Sequence, residues 1–193
     1  MTRWLLLVSF AAASGCYLDL RGGPVAPTKQ GNGSWTGHFV ATSGGERSAK
    51  WGHVGGGVSM YGALGSDDGG LPWIAGGPHV RAEIALMRLW YSLDANGGGT
   101  PPAFTYQKSI VSLTTLSFGL GGSPGDEAQR VSYFDAFSGV GMSNRDAGRA
   151  RWFTWAIGAT ANRLFPELSD GAWFVGVALC GGFGYSLSEP PPP

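Results

Sequence analysis

The chain has 193 residues and carries 13 basic and 13 acidic side chains, so its formal net charge is zero. Nothing in this balance attracts the chain to nucleic acid, and we expect no nucleic-acid partner. Charged residues make up 13% of the chain, against about 25% in ordinary soluble proteins. The 8 tryptophans and the low charge content argue against a disordered chain, which would lack aromatic residues and carry charge.

The N-terminal segment has the pattern of an export signal. Arg3 precedes an apolar run over residues 4–13, which is shorter than the roughly 20 residues of a membrane-spanning helix. The run ends at Ala13-Ser14-Gly15-Cys16, which resembles the lipobox of bacterial lipoproteins. In that family the cysteine becomes the first mature residue and carries the lipid. The resemblance implies a signal peptide over residues 1–15 and lipidation of Cys16.

Two cleavage sites remain open. The run Ala11-Ala12-Ala13 also fits an ordinary signal site, which would leave Cys16 without lipid and free to form a disulfide with Cys180. If Cys16 carries lipid, Cys180 is expected to be a buried small side chain rather than a nucleophile. In the lipoprotein family, the absence of an aspartate after the cysteine, here Tyr17, implies the bacterial outer membrane.

The rest of the chain divides into three parts by composition. Residues 16–34 are rich in Gly, Pro and polar side chains with little periodicity, and we interpret them as a lipidated tether. Residues 188–193 form a proline-rich tail that we expect to stay out of the fold. Between them, residues 35–187 alternate apolar segments with glycine-rich breaks about every 15–25 residues, which favours antiparallel hairpins over βαβ units.

Seven apolar segments follow one another in this domain. Four of them show alternation with a period of two, and "HVRAEIALMRLW" among these also has a helix-like composition. The faces of "SIVSLTTLSFGL" are blurred, and "DEAQRVSYFDAF" is compatible with a short helix capped by Ser123. In chain order the segments are WTGHFVAT, HVGGGVSMYGAL, HVRAEIALMRLW, SIVSLTTLSFGL, DEAQRVSYFDAF, RWFTWAIGAT and GAWFVGVALCGGFGYSL. We expect seven or eight strands.

The alternation separates large from small side chains. In the last segment Trp173, Val175 and Val177 share one face, while Gly176 and Ala178 share the other. Large apolar residues facing outward and small ones facing inward are typical of a membrane barrel. A soluble β-sandwich would instead place charged residues on its solvent face.

The end of the last segment resembles the assembly signal of small eight-stranded outer-membrane barrels, through Gly182, Tyr185 and Leu187. Unlike that family, the chain continues past this signal. The resemblance implies an all-β fold, a small antiparallel up-and-down β-barrel of about eight strands. The alternative is a β-sandwich or a lipocalin-like barrel.

Few residues indicate a charge network, a metal site or a catalytic site. Arg81 and Glu83 lie two apart on one inward face and are expected to form a charge network inside the barrel, with Asp135 or Arg149 joining it. His53, His79 and Glu83 offer a metal site only in principle, because no close ligand spacing is present, and we expect neither metal nor cofactor. No nucleophile elbow or phosphate loop occurs, so we expect no catalytic residue and no enzyme.

The aromatic residues suggest how the protein meets its surroundings. We expect a belt at the membrane interfaces and a lumen filled by side chains. The belt residues are Trp51, Trp73, Trp90, Tyr91, Tyr106, Trp152, Trp173 and Tyr185, and the lumen residues are Trp152, Phe174, Tyr61, Arg81 and Glu83.

The function expected from these patterns is that of an outer-membrane-associated lipoprotein with a structural or binding role and no catalysis. Its partner is membrane lipid, through Cys16 and through the barrel exterior. The alternative is a soluble β-sandwich or lipocalin-like module that is tethered by lipid and binds a small apolar ligand or a partner protein. A hydrolase is the third hypothesis.

Overall fold

The structure is a closed barrel of eight antiparallel strands. The computed structural model describes residues 15–27, 36–49, 51–64, 73–92, 105–122, 130–145, 151–166 and 173–186. Each strand pairs with its neighbours in the chain, and the first pairs with the last. The strands are β1 (Gly15–Pro27), β2 (Thr36–Ala49), β3 (Gly52–Leu64), β4 (Trp73–Ser92), β5 (Thr105–Gly122), β6 (Arg130–Ser143), β7 (Arg151–Pro166) and β8 (Trp173–Ser186).

This topology confirms the prediction of a small antiparallel up-and-down barrel, and the sandwich alternative is wrong because one sheet closes on itself. Among the residues that the structure describes, no helix is long and apolar enough to span a membrane. We call the rim at which β1 begins and β8 ends the terminal rim, and the opposite one the distal rim.

The strands are strongly staggered. Following paired residues once around the barrel leads from Gly15 through Arg81 on β4 and back to β1 at Val25, which is 25 − 15 = 10 residues further along. With about 3.3 Å per residue and about 4.8 Å between strands, this stagger tilts the strands by about 40° from the barrel axis. A barrel of this size is just wide enough for side chains to fill its interior.

The interpretation of residues 16–34 as a tether is wrong for its first part. Gly15–Pro27 forms β1, which is hydrogen-bonded to β2 on one side and to β8 on the other. Tyr17, Asp19 and Arg21 point into the lumen and are buried. The segment looked like a tether because its inward residues are polar, whereas a polar lumen makes such residues normal for a barrel strand. Residues 28–35 lie outside the described residues.

The proposed short helix in "DEAQRVSYFDAF" is also wrong. From Arg130 onward the segment belongs to β6, and residues 123–129 lie outside the described residues. Tyr133, Asp135 and Phe137 alternate inward, so the segment has a period of two. Its polar and small residues would fit the surface of a helix as well as a strand. The segment is a strand because it pairs with β5 and β7.

The two remaining ambiguous segments are strands with defined faces. In β4 the alternation runs to a register irregularity between Ala85 and Met87, where one extra residue is accommodated. In β5 the buried inward residues are Ser109, Val111, Leu113, Thr115 and Ser117, and the exposed outward ones are Leu116, Phe118 and Leu120.

Candidate functional site

Arg81 on β4 is the centre of a charge cluster in the lumen near the terminal rim. Its Nε donates to Asp19 Oδ2 at 2.6 Å, and its Nη2 donates to Glu83 Oε2 at 2.8 Å. Glu46 Oε2 lies 3.8 Å from Nη1. Arg81 is 2% exposed, so the guanidinium is neutralised by these carboxylates rather than by water.

Arg145, two residues past the end of β6, adds a second cation to this cluster. Its Nη1 lies 2.5 Å from Glu46 Oε2, and its Nη2 lies 3.7 Å from Glu83 Oε2. The guanidinium carbon is 3.5 Å from the centre of a Trp152 ring, in cation–π geometry. We call Asp19, Glu46, Arg81, Glu83 and Arg145 the terminal cluster; all five side chains are buried.

Tyr17 and Trp152 pack around the terminal cluster, and glycines on the inner wall make room for them. The Tyr17 hydroxyl lies 2.5 Å from His79 Nε2, and a Cβ added at Gly55 would lie 2.7 Å from Tyr17 Cε1. A Cβ at Gly184 would overlap the Trp152 ring. Glycine at these positions lets the backbone approach the large lumen side chains closely.

A second ion pair lies deeper in the lumen. Arg21 on β1 pairs with Asp135 on β6, and its Nη1 also donates to Thr115 Oγ1 at 2.6 Å. Asn162 Nδ2 donates to the other oxygen of Asp135 at 2.9 Å. The Arg21 guanidinium carbon sits 4.9 Å from the Phe137 ring centre. This pair therefore ties four strands together across the barrel.

An aromatic layer fills the lumen towards the distal rim. The ring of Tyr61 stacks on His38 at 6.3 Å and on Tyr133 at 5.2 Å between centroids. Phe174 packs against the same cluster, and the Tyr133 hydroxyl hydrogen-bonds Ser59. Side chains thus occupy the lumen from the terminal cluster to the distal rim, as expected for a barrel of this width.

The structure brings Arg81 and Glu83 together in the lumen, in direct contact. Asp135 belongs to the separate pair with Arg21, and Arg149 lies outside the described residues. Sequence reasoning missed Asp19, Arg21, Glu46 and Arg145. The alternation Tyr17-x-Asp19-x-Arg21 was a usable signal for the first two, whereas nothing local marks Glu46 or Arg145 as inward.

The three residues considered for a metal do not form a site. His79 contacts Tyr17, while His53 Nδ1 lies 3.4 Å from Ser48 Oγ near the terminal rim. Within the described ranges, no three His, Cys, Asp or Glu side chains are arranged to hold a metal ion. The two cysteines face opposite sides of the wall, Cys16 outward and Cys180 into the lumen, and both are free thiols, so the alternative disulfide is wrong.

The outer wall carries exposed aromatic residues near both rims. Of the expected belt, Trp51, Trp173 and Tyr185 are exposed. Trp152 does not belong to the belt, because it lies on the inward face of β7 and is 3% exposed. The side chains of Trp73, Trp90, Tyr91 and Tyr106 lie outside the described residues. Phenylalanines and one further tryptophan complete two belts: Phe153, Trp155 and Phe183 at the terminal rim, and Phe39, Phe118 and Phe134 at the distal rim.

Between these belts the outer wall is mostly apolar, with a few serine and threonine side chains. Phe183 and Trp173 are ten residues apart on β8, which at about 3.3 Å per residue and about 40° of tilt separates the belts by about 25 Å along the axis. The exposed residues between them include Leu20, Val58, Val80, Leu116, Val140, Ile157, Val177 and Leu179. Among the described residues, the one charged outward side chain at these levels is Arg163, which lies beside Trp173 at the distal edge of the band.

Comparison with known proteins gives no match: no family model, no curated protein and no solved structure resembles this chain at a significant level.

Proposed function

We propose that this protein is a lipoprotein of the bacterial outer membrane whose barrel spans the bilayer, with a structural or binding role and no catalysis. The observation that carries the proposal is the distribution of charge across the barrel wall. All acidic side chains that the structure describes, Asp19, Glu46, Glu83 and Asp135, are buried in the lumen. The outward band from Phe183 to Trp173 is about 25 Å high and mostly apolar, with Arg163 only at its distal edge, and this is the height of the hydrocarbon contact zone of a membrane barrel.

In water a protein would expose its charged side chains and bury its large apolar ones, and this barrel does the opposite. A soluble protein rarely exposes an apolar patch of more than a few hundred Å², whereas here the apolar band continues over all eight strands. Closure into a barrel satisfies the backbone of every strand, which lipid demands because it offers no hydrogen bonds. A wall with apolar side chains outside and charged side chains inside therefore supports a membrane barrel over the tethered soluble module.

The filled lumen supports a role other than transport through a wide pore. Trp152 packs on Arg145 of the terminal cluster, and the aromatic layer occupies the distal half. The charged side chains of the lumen contact one another, so their chemistry is used in holding the strands together. Binding of other molecules would then fall to the outer wall and to the segments that connect the strands.

The position of Cys16 is compatible with lipidation. Its thiol is exposed on the outward face of β1, at the terminal rim, where it pairs in register with Tyr185 of the aromatic belt. Cleavage before Cys16 would remove only Gly15 from β1 and would leave Tyr17, Asp19 and Arg21 in the lumen. Acyl chains on this thiol would lie along the apolar wall in the adjacent leaflet.

The spanning proposal predicts that the full chain, expressed with its leader in a Gram-negative host, fractionates with the outer membrane and needs detergent for extraction. Its folded form should migrate faster on an unheated gel than on a boiled gel, because a closed barrel resists the detergent until it is heated. A chain lacking residues 1–15 that stays monomeric in buffer without detergent would contradict the proposal and favour the tethered soluble module.

The lipidation proposal predicts that Cys16→Ser abolishes incorporation of labelled fatty acid while the heat-modifiable barrel remains. The thiol lies outside the lumen, so its loss removes no packing of the core. Cys180→Ser is the matched control and should keep the label. Mass spectrometry that finds an unmodified N-terminal Ser14 in the unmutated protein would refute lipidation and leave the barrel proposal standing.

A further inference from the structure

We propose that a groove in the outer wall, over β2, binds an acyl chain that is attached to Cys16. This inference rests on the proposed lipidation and on the spanning barrel, and it names the part of the wall that the lipid occupies. Three successive outward residues of β2, Gly45, Ser43 and Ala41, form the floor of the groove. Along the described parts of the other seven strands, no three successive outward residues are all Gly, Ala or Ser. We call this feature the acyl groove.

Large apolar side chains border the floor on both sides. The rows of paired residues that pass through Ser43 and Ala41 each place one such side chain on β1 and another on β3. The residues of these two walls are Leu18 and Leu20 on β1, and Val58 and Met60 on β3. Of these only Leu18 is half-buried, and the others are exposed. Since neighbouring strands lie about 4.8 Å apart, the walls stand about 10 Å apart across β2, which leaves a channel for one extended hydrocarbon chain.

The acyl groove begins beside Cys16. Cys16 is in register with Gly45, and Gly45 is in register with Gly56 on β3. This row therefore carries no side chain large enough to separate the thiol from the floor. The thiol is exposed on the outward face, on the same side of the wall as the groove. A chain attached there is held at the entrance of its binding site, and such a tether gives a high effective concentration.

Phe39 closes the opposite end of the acyl groove. It is the next outward residue of β2 after Ala41, and it is flanked in register by Gly22 on β1 and Gly62 on β3. A Cβ added at Gly62 would overlap the Phe39 ring, so the ring lies across β3. From Gly45 to Phe39 the groove covers about 20 Å along the strand and about 15 Å along the barrel axis. This is the depth of one leaflet when the hydrocarbon core is about 30 Å thick, so the groove ends at the level where acyl chains end.

The strand on the other side of β1 offers no comparable channel. Cys16 pairs in register with Tyr185 of β8 as it does with Gly45 of β2, so both strands are equally close to the thiol. The next outward residues along β8 are Phe183, Gly181 and Leu179. A chain that turned towards β8 would have to cross aromatic rings before it met the single glycine. The two directions are therefore equal in distance and different in shape.

A photoreactive fatty acid tests this placement. The full chain is expressed with a fatty acid that carries a diazirine near its methyl end, and the purified protein is illuminated in vesicles of unlabelled phosphatidylcholine. We expect adducts within the same chain on Ala41 and Met60, about tenfold more abundant than adducts on Leu179 of β8. Mass spectrometry of the peptides measures both yields. Leu179 lies at a similar depth in the bilayer, so the comparison reports the direction of the chain.

Ser43→Phe fills the middle of the acyl groove and should lower the yield of adducts on Met60 about tenfold, because the ring takes the space of the tethered chain. Ser138→Phe is the matched control, since it makes the same change on the exposed outward face of β6, on the far side of the barrel. It should leave the yields unchanged. Gel heat-modifiability reports whether each variant folds, and Ala41→Leu is a second, smaller filling variant that should also lower the yield on Met60.

Several outcomes would overturn the inference. Equal yields on β2 and β8 in a labelled protein would refute the acyl groove and leave lipidation and the barrel standing. A yield on Met60 that neither filling variant lowers would do the same. Absence of label at Cys16 would instead refute lipidation and the inference with it. Labelled protein that stays monomeric in buffer without detergent would refute the spanning barrel, so the failures are distinguishable.

Discussion

Replacing Arg81 by methionine is expected to lower the free energy of unfolding by about 3–5 kcal/mol, because removing one partner leaves the opposite charges buried. Arg81 holds Asp19 at 2.6 Å and Glu83 at 2.8 Å, and it lies 3.8 Å from Glu46. Without its guanidinium, Arg145 alone would face three buried carboxylates. Reversible urea unfolding in detergent micelles, followed by the loss of the heat-modifiable band, measures the change.

Arg163→Met is the matched control for this variant. Arg163 is a half-buried arginine on the outward face of β7, and the same substitution there should change stability by less than about 1 kcal/mol. Combining Arg81→Met with Asp19→Asn and Glu83→Gln should recover much of the lost free energy of unfolding. This triple variant removes two carboxylate charges together with the guanidinium, so they are not left buried without a cation. Equal stability of the single variant and the unmutated barrel would show that the terminal cluster is open to water.

Leu179→Arg is expected to destabilise the membrane-inserted barrel by about 2–4 kcal/mol, the cost of an arginine at the lipid-facing midplane of a barrel. Leu179 lies on β8 between the two aromatic belts, is 59% exposed and packs nothing in the lumen. In a water-soluble barrel the same change would stay within about 0.5 kcal/mol, because it replaces an exposed apolar side chain. The substitution therefore distinguishes lipid from water around the outer wall.

The control for this effect lies on the same strand. Tyr185→Arg changes an outward residue at the terminal rim and should cost at most about 1 kcal/mol, since the penalty falls towards the interface. Unfolding of both variants from lipid vesicles in urea gives the comparison. Equal effects at Leu179 and Tyr185 would contradict a barrel whose apolar band crosses the bilayer.

The sequence predicted the faces of most strands correctly because the period of two is a local property of extended backbone. Val175 and Leu179 face out and Ala178 and Cys180 face in, as their spacing alone requires. The short helix considered for β6 and the tether expected over β1 were wrong for one shared reason. Both segments place polar side chains in the lumen, and a polar lumen weakens the hydrophobic alternation by which a strand is recognised.

Similarly, Trp152 illustrates a limit of composition. A tryptophan near a strand end suits both an interfacial belt and a filled lumen, and the sequence pointed to both. Its position on the inward face of β7, above Arg145 and opposite Gly184, decided for the lumen. The exposed Trp155, three residues on, takes the outward place in the belt.

By itself, the sequence determined the all-β class and the outward placement of the large apolar side chains, and it left a sandwich open beside a closed barrel. Only the tertiary structure decided which lumen charges neutralise one another. Asp19 meets Arg81 across 62 positions of sequence, and Arg21 meets Asp135 across 114. These pairings depend on the ten-residue stagger of the closed sheet and on β1 completing it, which are properties of the whole ring of strands and of no single segment.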